Sequence, residues 1–140
     1  MKKILKRIVS VALVCVMVLS LVSCDKSGSV KKAFEKEDYK VETIDSSNAV
    51  IATVADLILN DEQMEKLADY ELILCKKGLS VAVIVKFPSG SELKSFLTVE
   101  KEDGTKDTST YDKLKEEGAI NGNCLCLTLS SDAKAIFENA

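Results

Sequence analysis

Apolar and polar positions along the chain change period several times, and each change marks an element. Ile8 to Val22 is apolar except for Ser10 and Ser20, behind a basic cluster of Lys2, Lys3, Lys6 and Arg7. About fifteen apolar residues is the length of a signal-peptide core, whereas a membrane-spanning helix needs roughly twenty. The basic flank orients the segment with its C-terminal end outward. Val30, Ala33 and Phe34 then fall on one helical stripe, with Lys31, Lys32, Glu35 and Lys36 opposite. Ser29 is the expected N-cap, and the helix is expected to end near Asp38. Tyr39 to Ile44 alternates and predicts a strand. Ala49 to Leu59 is nearly unbroken apolar sequence, in which periodicity alone does not separate helix from strand. Its length, its three alanines and the cap offered by Ser47 and Asn48 favour a buried helix. Asn60-Asp61-Glu62-Gln63 is a capping-box pattern that restarts or kinks the helix through Leu67.

Glu71 to Lys77 and Ser80 to Phe87 predict two strands joined at Lys77-Gly78-Leu79, where glycine suits a positive φ. Pro88-Ser89-Gly90-Ser91 breaks the second strand and caps a helix through about Val99. Residues 100–108 are charged and predict a loop. Gly104 tempts a calcium-loop reading, but that register places Val99 and Lys101 where oxygen ligands are required, so the spacing fails. Thr110 to Glu117 predicts a short helix closed by Gly118. Asn123 to Leu129 alternates, with Leu125, Leu127 and Leu129 on one face. Ser130-Ser131-Asp132 caps a last helix from Ala133 to Asn139, with Ile136 and Phe137 facing inward.

After the first helix the order is β-α-β-β-α-β and a final helix. The expectation is an α+β, ferredoxin-like (split βαβ) fold with an antiparallel four-stranded sheet in the order fourth, first, third, second. One sheet face collects Val41, Leu72, Leu74, Val81, Val83, Val85 and the three late leucines. The other collects Ile44, Ile73, Cys75, Ala82, Ile84, Cys124 and Cys126. An antiparallel sheet packed on one side should be polar on the other, and this second face is half apolar. Either the first and last helices fold over it, or Ile44, Ile73, Ala82, Ile84, Cys124 and Cys126 form an interaction face for a protein partner or a second copy.

Leu21-Val22-Ser23-Cys24 resembles the lipobox of bacterial lipoproteins at all four positions. The resemblance implies cleavage between Ser23 and Cys24, removal of 1–23 as a signal peptide, a diacylglyceryl thioether on Cys24, and a place at the cell membrane on the extracytoplasmic side. Two acyl chains are what stable anchoring takes. Residues 24–28 then read as the lipidated cysteine with a short polar tether, and 29–140 as a single domain. Lys32-Ala-Phe-Glu, Asp38-Tyr-Lys-Val, the hairpin from Lys77 to Phe87 with the capped helix after it, and the closing Asn121-Gly-Asn and Ser131-Asp-Ala-Lys-Ala-Ile-Phe137 resemble small uncharacterised lipoproteins of Gram-positive bacteria. That resemblance implies a fold and no activity.

Composition narrows the chemistry. Of the 19 basic residues, four precede Cys24, leaving 15 against 22 acidic ones and a formal charge of −7 for residues 24–140. That sign argues against nucleic acid as a partner, and it repels an anionic membrane surface beyond the lipid tether. The chain has no His and no Trp, and its only Arg is Arg7. Ser-His-Asp and Cys-His nucleophilic systems are therefore excluded, as are bidentate arginine clamps. No glycine-rich phosphate loop occurs. Cys75, Cys124 and Cys126 remain after Cys15 and Cys24 are set aside. In the expected strand order Cys75 lies at the sheet edge opposite the other two, so packing is favoured. A soft-metal (Cu/Zn) site using Cys124 and Cys126 is the alternative. The expected protein is a non-enzymatic, membrane-anchored binding module without catalytic residues, metal or other cofactor beyond the acyl chains on Cys24. The second alternative is a cell-envelope enzyme working with lysine and carboxylates.

Overall fold

The computed structural model describes residues 25–140. The signal-peptide and lipobox expectations, from Lys2 to Cys24, lie outside the described residues. Helix α1 spans Ser27–Lys36 with Lys26 at the N-cap position, three residues earlier than the expected cap at Ser29. Asp25 sets this start: its carboxylate accepts from the Ser27 amide at 2.9 Å and the Ser27 hydroxyl at 2.7 Å. Strand β1 (Lys40–Ile44) follows. The long apolar run becomes helix α2 (Ala49–Ala55), capped by Asn48, and stops before the solvent-exposed Leu57. Helix α3 (Asp61–Lys66) starts anew on the Asn60/Gln63 capping box, whose two reciprocal bonds are 2.8 and 3.0 Å. One 3-10 turn (Leu67–Asp69) leads into β2 (Glu71–Lys77), and Gly78 turns the chain into β3 (Ser80–Lys86). Helix α4 (Gly90–Leu97) is capped by Ser89.

The charged stretch expected as a loop closes a small ribbon, β4 (Val99–Glu100) with β5 (Lys106–Asp107). Helix α5 (Ser109–Glu116), strand β6 (Ile120–Asn121), strand β7 (Cys124–Thr128) and helix α6 (Ser131–Glu138) complete the described chain. None of these helices is long and apolar enough to cross a membrane.

The main sheet is five-stranded and antiparallel in the order β1-β2-β3-β7-β6. This corrects the expected order of fourth, first, third, second. The reason lies in the helical excursions. Ile44 at the end of β1 sits opposite Leu72 at the start of β2, so residues 45–70 leave and re-enter the sheet at one end. Lys86 sits opposite Cys124, and the chain after Lys86 returns to that same end through the short edge strand β6, which turns at Gly122 into β7. A same-end return makes antiparallel neighbours and needs no crossover, so the handedness rule does not select among orders.

Each face of the sheet carries a core. Under α2, α3, α4 and α5 lie Leu72, Leu74, Val83, Val85, Leu125 and Leu127. Under α1 and α6 lie Ile73, Cys75, Ala82, Ile84, Cys124 and Cys126, closed over by Val30, Phe34, Ala133 and Phe137. Two assignments on β1 are corrected. Val41 pairs with Cys75 and Ile44 with Leu72, so each lies on the face opposite to the one expected. A one-residue change of register exchanges the faces of a whole strand, and this edge strand has one neighbour to fix it. Leu129 is corrected as well. Thr128 ends β7 by donating to the Val81 carbonyl at 2.6 Å and accepting from the Ser130 amide at 3.0 Å, and Leu129 beyond it is 68% exposed.

Candidate functional site

The half-apolar face expected to meet a partner is covered by the chain itself. Ile73, Ala82, Ile84 and Cys124 are fully buried beneath α1 and α6, Cys126 nearly so, and Ile44 belongs to the other core. The cysteines share that interior as free thiols. Their expected place at opposite sheet edges is corrected: only β3 separates β2 from β7. Two strand spacings of about 4.8 Å still exceed the roughly 7 Å that a disulfide allows between Cα atoms. Burial pushes the Cys75 and Cys124 thiols up to about 12 and raises Cys126 as well. The thiolate is the nucleophile and the metal ligand, so these are poor sites for either role. Among the described residues no three His, Cys, Asp or Glu side chains gather in a metal-holding group.

The sheet has two unlike ends. At the hairpin end, an open groove of about 500 Å³ runs between α2 and the ends of β3 and β7. Val50, Thr53 and Val54 form its helical wall, Leu79, Ser80 and Val81 its hairpin wall, and Leu129 and Ser130 its far rim. Gly78 adopts φ +59°, which lets the tight turn throw Leu79 fully into solvent. None of the lining residues titrates, so the groove offers apolar contact and the three hydroxyls of Thr53, Ser80 and Ser130. Ser80 Oγ lies 2.6 Å from the Tyr39 hydroxyl and 2.8 Å from Ser130 Oγ, which in turn accepts from the Ala133 amide. This row ties β3 to the starts of β1 and α6 and fixes the groove floor.

Ser80 also borders a second hollow of about 750 Å³ between α1 and α6, lined by Lys36, Glu37, Lys77 and Asp132 among others. Lys77 Nζ there donates to the Glu37 carbonyl at 2.9 Å. A third hollow of about 820 Å³ lies between α3, α4 and the β4–β5 ribbon, where Lys66 meets Glu62 at 3.2 Å along one helix. That exposed pair is a surface ion pair in type and energy.

The opposite, Lys86 end is polar and tied. Lys86 Nζ is 3.1 Å from Asp25 and 3.5 Å from Glu71. The Lys26 amide donates to Asn123 Oδ1 at 2.8 Å, and Asn123, almost wholly buried, donates to the Phe87 carbonyl at 2.7 Å. Partial burial alone would raise Asp25; the hydrogen bonds from Ser27 and Lys86 outweigh it and bring the carboxyl down to about 2. The Asp25 bond raises Lys86 in turn. Each partner is held in its charged form. The pair is thus not poised for proton transfer, and it lines none of the three hollows.

Sequence reasoning missed the groove. Its signals were Leu79 beside a turn glycine and Leu129 next to a serine cap, both positions without a strand partner. Comparison with protein-family models, curated protein sequences and solved structures finds no match to this chain.

Proposed function

We propose that the protein is a lipid-anchored, non-enzymatic binding module on the outer face of a bacterial cytoplasmic membrane, and that it works through the groove at the hairpin end. One observation carries the binding role: the groove is concave, aliphatic and free of titratable side chains, with two leucines presented to solvent. Such a surface gains free energy from covering apolar area, at about 25 cal/mol per Å², and its lining holds no base to move a proton or activate a hydroxyl. The lipobox at Leu21-Val22-Ser23-Cys24 supports the anchor, and the absence of His and of any Arg after Arg7 supports the non-enzymatic role.

A photo-crosslinking amino acid at Thr53, compared with one at the exposed Glu116 on α5, tests the groove in intact cells. A discrete adduct at Thr53 that Leu79→Lys abolishes is the expected result. Equal labelling at both positions overturns the groove as the working surface. Mass spectrometry of the native protein tests the anchor: residues 1–23 retained, or an unmodified Cys24, would overturn it.

A further inference from the structure

The residues expected as a loose tether are part of the fold. Ser27 and Gly28 are already helical, and Asp25 and Lys26 are each bonded to the Lys86 end of the sheet. Lys26 also lies along Gly122, where an added Cβ would come within 2.5 Å of its Cγ, so the Lys26 side chain is closely fitted against the Gly122 backbone. Consecutive Cα atoms are about 3.8 Å apart, so a group carried on residue 24 leaves the chain right beside this clamp.

We infer that Asp25 to Ser27 form a latch: the Lys86 end of the sheet faces the lipid bilayer, and the hairpin end with its apolar groove points away from it. The inference rests on the reading that Cys24 carries the lipid. A free tether of four or five residues would let the domain tumble against the membrane; a clamped one fixes a single face downward. The strand direction sets the height. Six steps of about 3.3 Å from Ser80 to Lys86 raise the groove about 20 Å above the latched end. At that height the groove is open to a water-borne occupant and out of reach of the acyl chains.

Energy transfer to rhodamine-labelled headgroups measures this. The lipidated protein is reconstituted in vesicles of phosphatidylglycerol and phosphatidylcholine, with a donor on Ser46→Cys near the latched end or on Leu79→Cys at the tip. The buried thiols of Cys75, Cys124 and Cys126 stay unlabelled. Transfer from position 46 is expected to exceed that from position 79 by at least about twofold, given the 20 Å height. Lys86→Ala with Asn123→Ala opens the latch and should bring the two efficiencies together. A Gly/Ser linker of about 20 residues between Cys24 and Asp25, with a reach of about 25 Å, should do the same while leaving every contact of the fold in place. It therefore decides the matter if the double variant does not fold. Equal transfer from both positions in the unaltered protein, with Cys24 shown by mass spectrometry to be diacylated, overturns the latch and leaves the anchor standing. Failure of the vesicles to hold the protein, with Cys24 unmodified, overturns the anchor and the latch with it.

Discussion

At the scale of single residues, Asp25 and Lys86 set a pH dependence whose sign follows from their contacts. Asp25 sits at about 2 in the folded chain, against about 3.9 for an unperturbed aspartate. A lowered carboxyl contributes stability that is fully present above about pH 4 and is lost as the pH falls through about 2. Lys86→Ala should raise the Asp25 carboxyl toward its ordinary value in an NMR titration. It should cost about 1 kcal/mol or less at neutral pH, because the pair is about one-third exposed. Gly122 adopts φ +60° as well as touching Lys26. Gly122→Ala should therefore lower the urea-unfolding free energy by roughly 1–2 kcal/mol, with Lys26 displaced. The three cysteines should resist a disulfide reagent in the native protein and react in step with unfolding, since burial withholds the thiolate. Rapid reaction of any of them in native buffer would contradict their placement.

At the scale of elements, caps and periodicity carried most of the information. Asn48, the Asn60/Gln63 box, Ser89 and Ser130 each start a helix where the sequence suggested one. The strands β2, β3 and β7 were legible from alternation and from Gly78. Strand order was not, because a helix capped after one strand reads the same whether the chain returns at the same end or crosses over. The register of β1 was not legible either: Lys-Val-Glu-Thr-Ile offers apolar side chains to both faces. The half-apolar second face was visible in sequence, and its cover was too, in the stripe of Val30 and Phe34 and in the inward-facing Phe137. What the sequence did not decide was whether those side chains met this face or another molecule. Substitution separates the two kinds of apolar position. Ile84→Lys places an unpaired charge between α1, α6 and the sheet and should cost about 3–5 kcal/mol in denaturant unfolding. Leu79→Lys, at a fully exposed tip, should change stability by no more than about 0.5 kcal/mol. The reverse ranking would mean that the second face is open.

At the scale of the molecule, the two cores differ in how the chain builds them. Side chains from the central run of the sequence, between Ile44 and Leu127, complete the core beneath α2 to α5. The other core draws on both extremes of the described chain, Val30 and Phe34 at one limit and Ala133 and Phe137 at the other. A chain ending at residue 130 should keep the sheet and bind an apolar dye such as ANS, which the intact protein should not; a dye-silent truncation would show that α6 is dispensable. The same arrangement imposes an order of completion. A polypeptide that emerges amino end first presents α1 well before the eight-residue α6, and that layer closes only once α6 is made. Until then Ile73, Ile84 and Cys126 have shelter from one side only. A helper that shields nascent surfaces would find its target there, and a chain cut short before α6 would leave a sticky half-finished sheet.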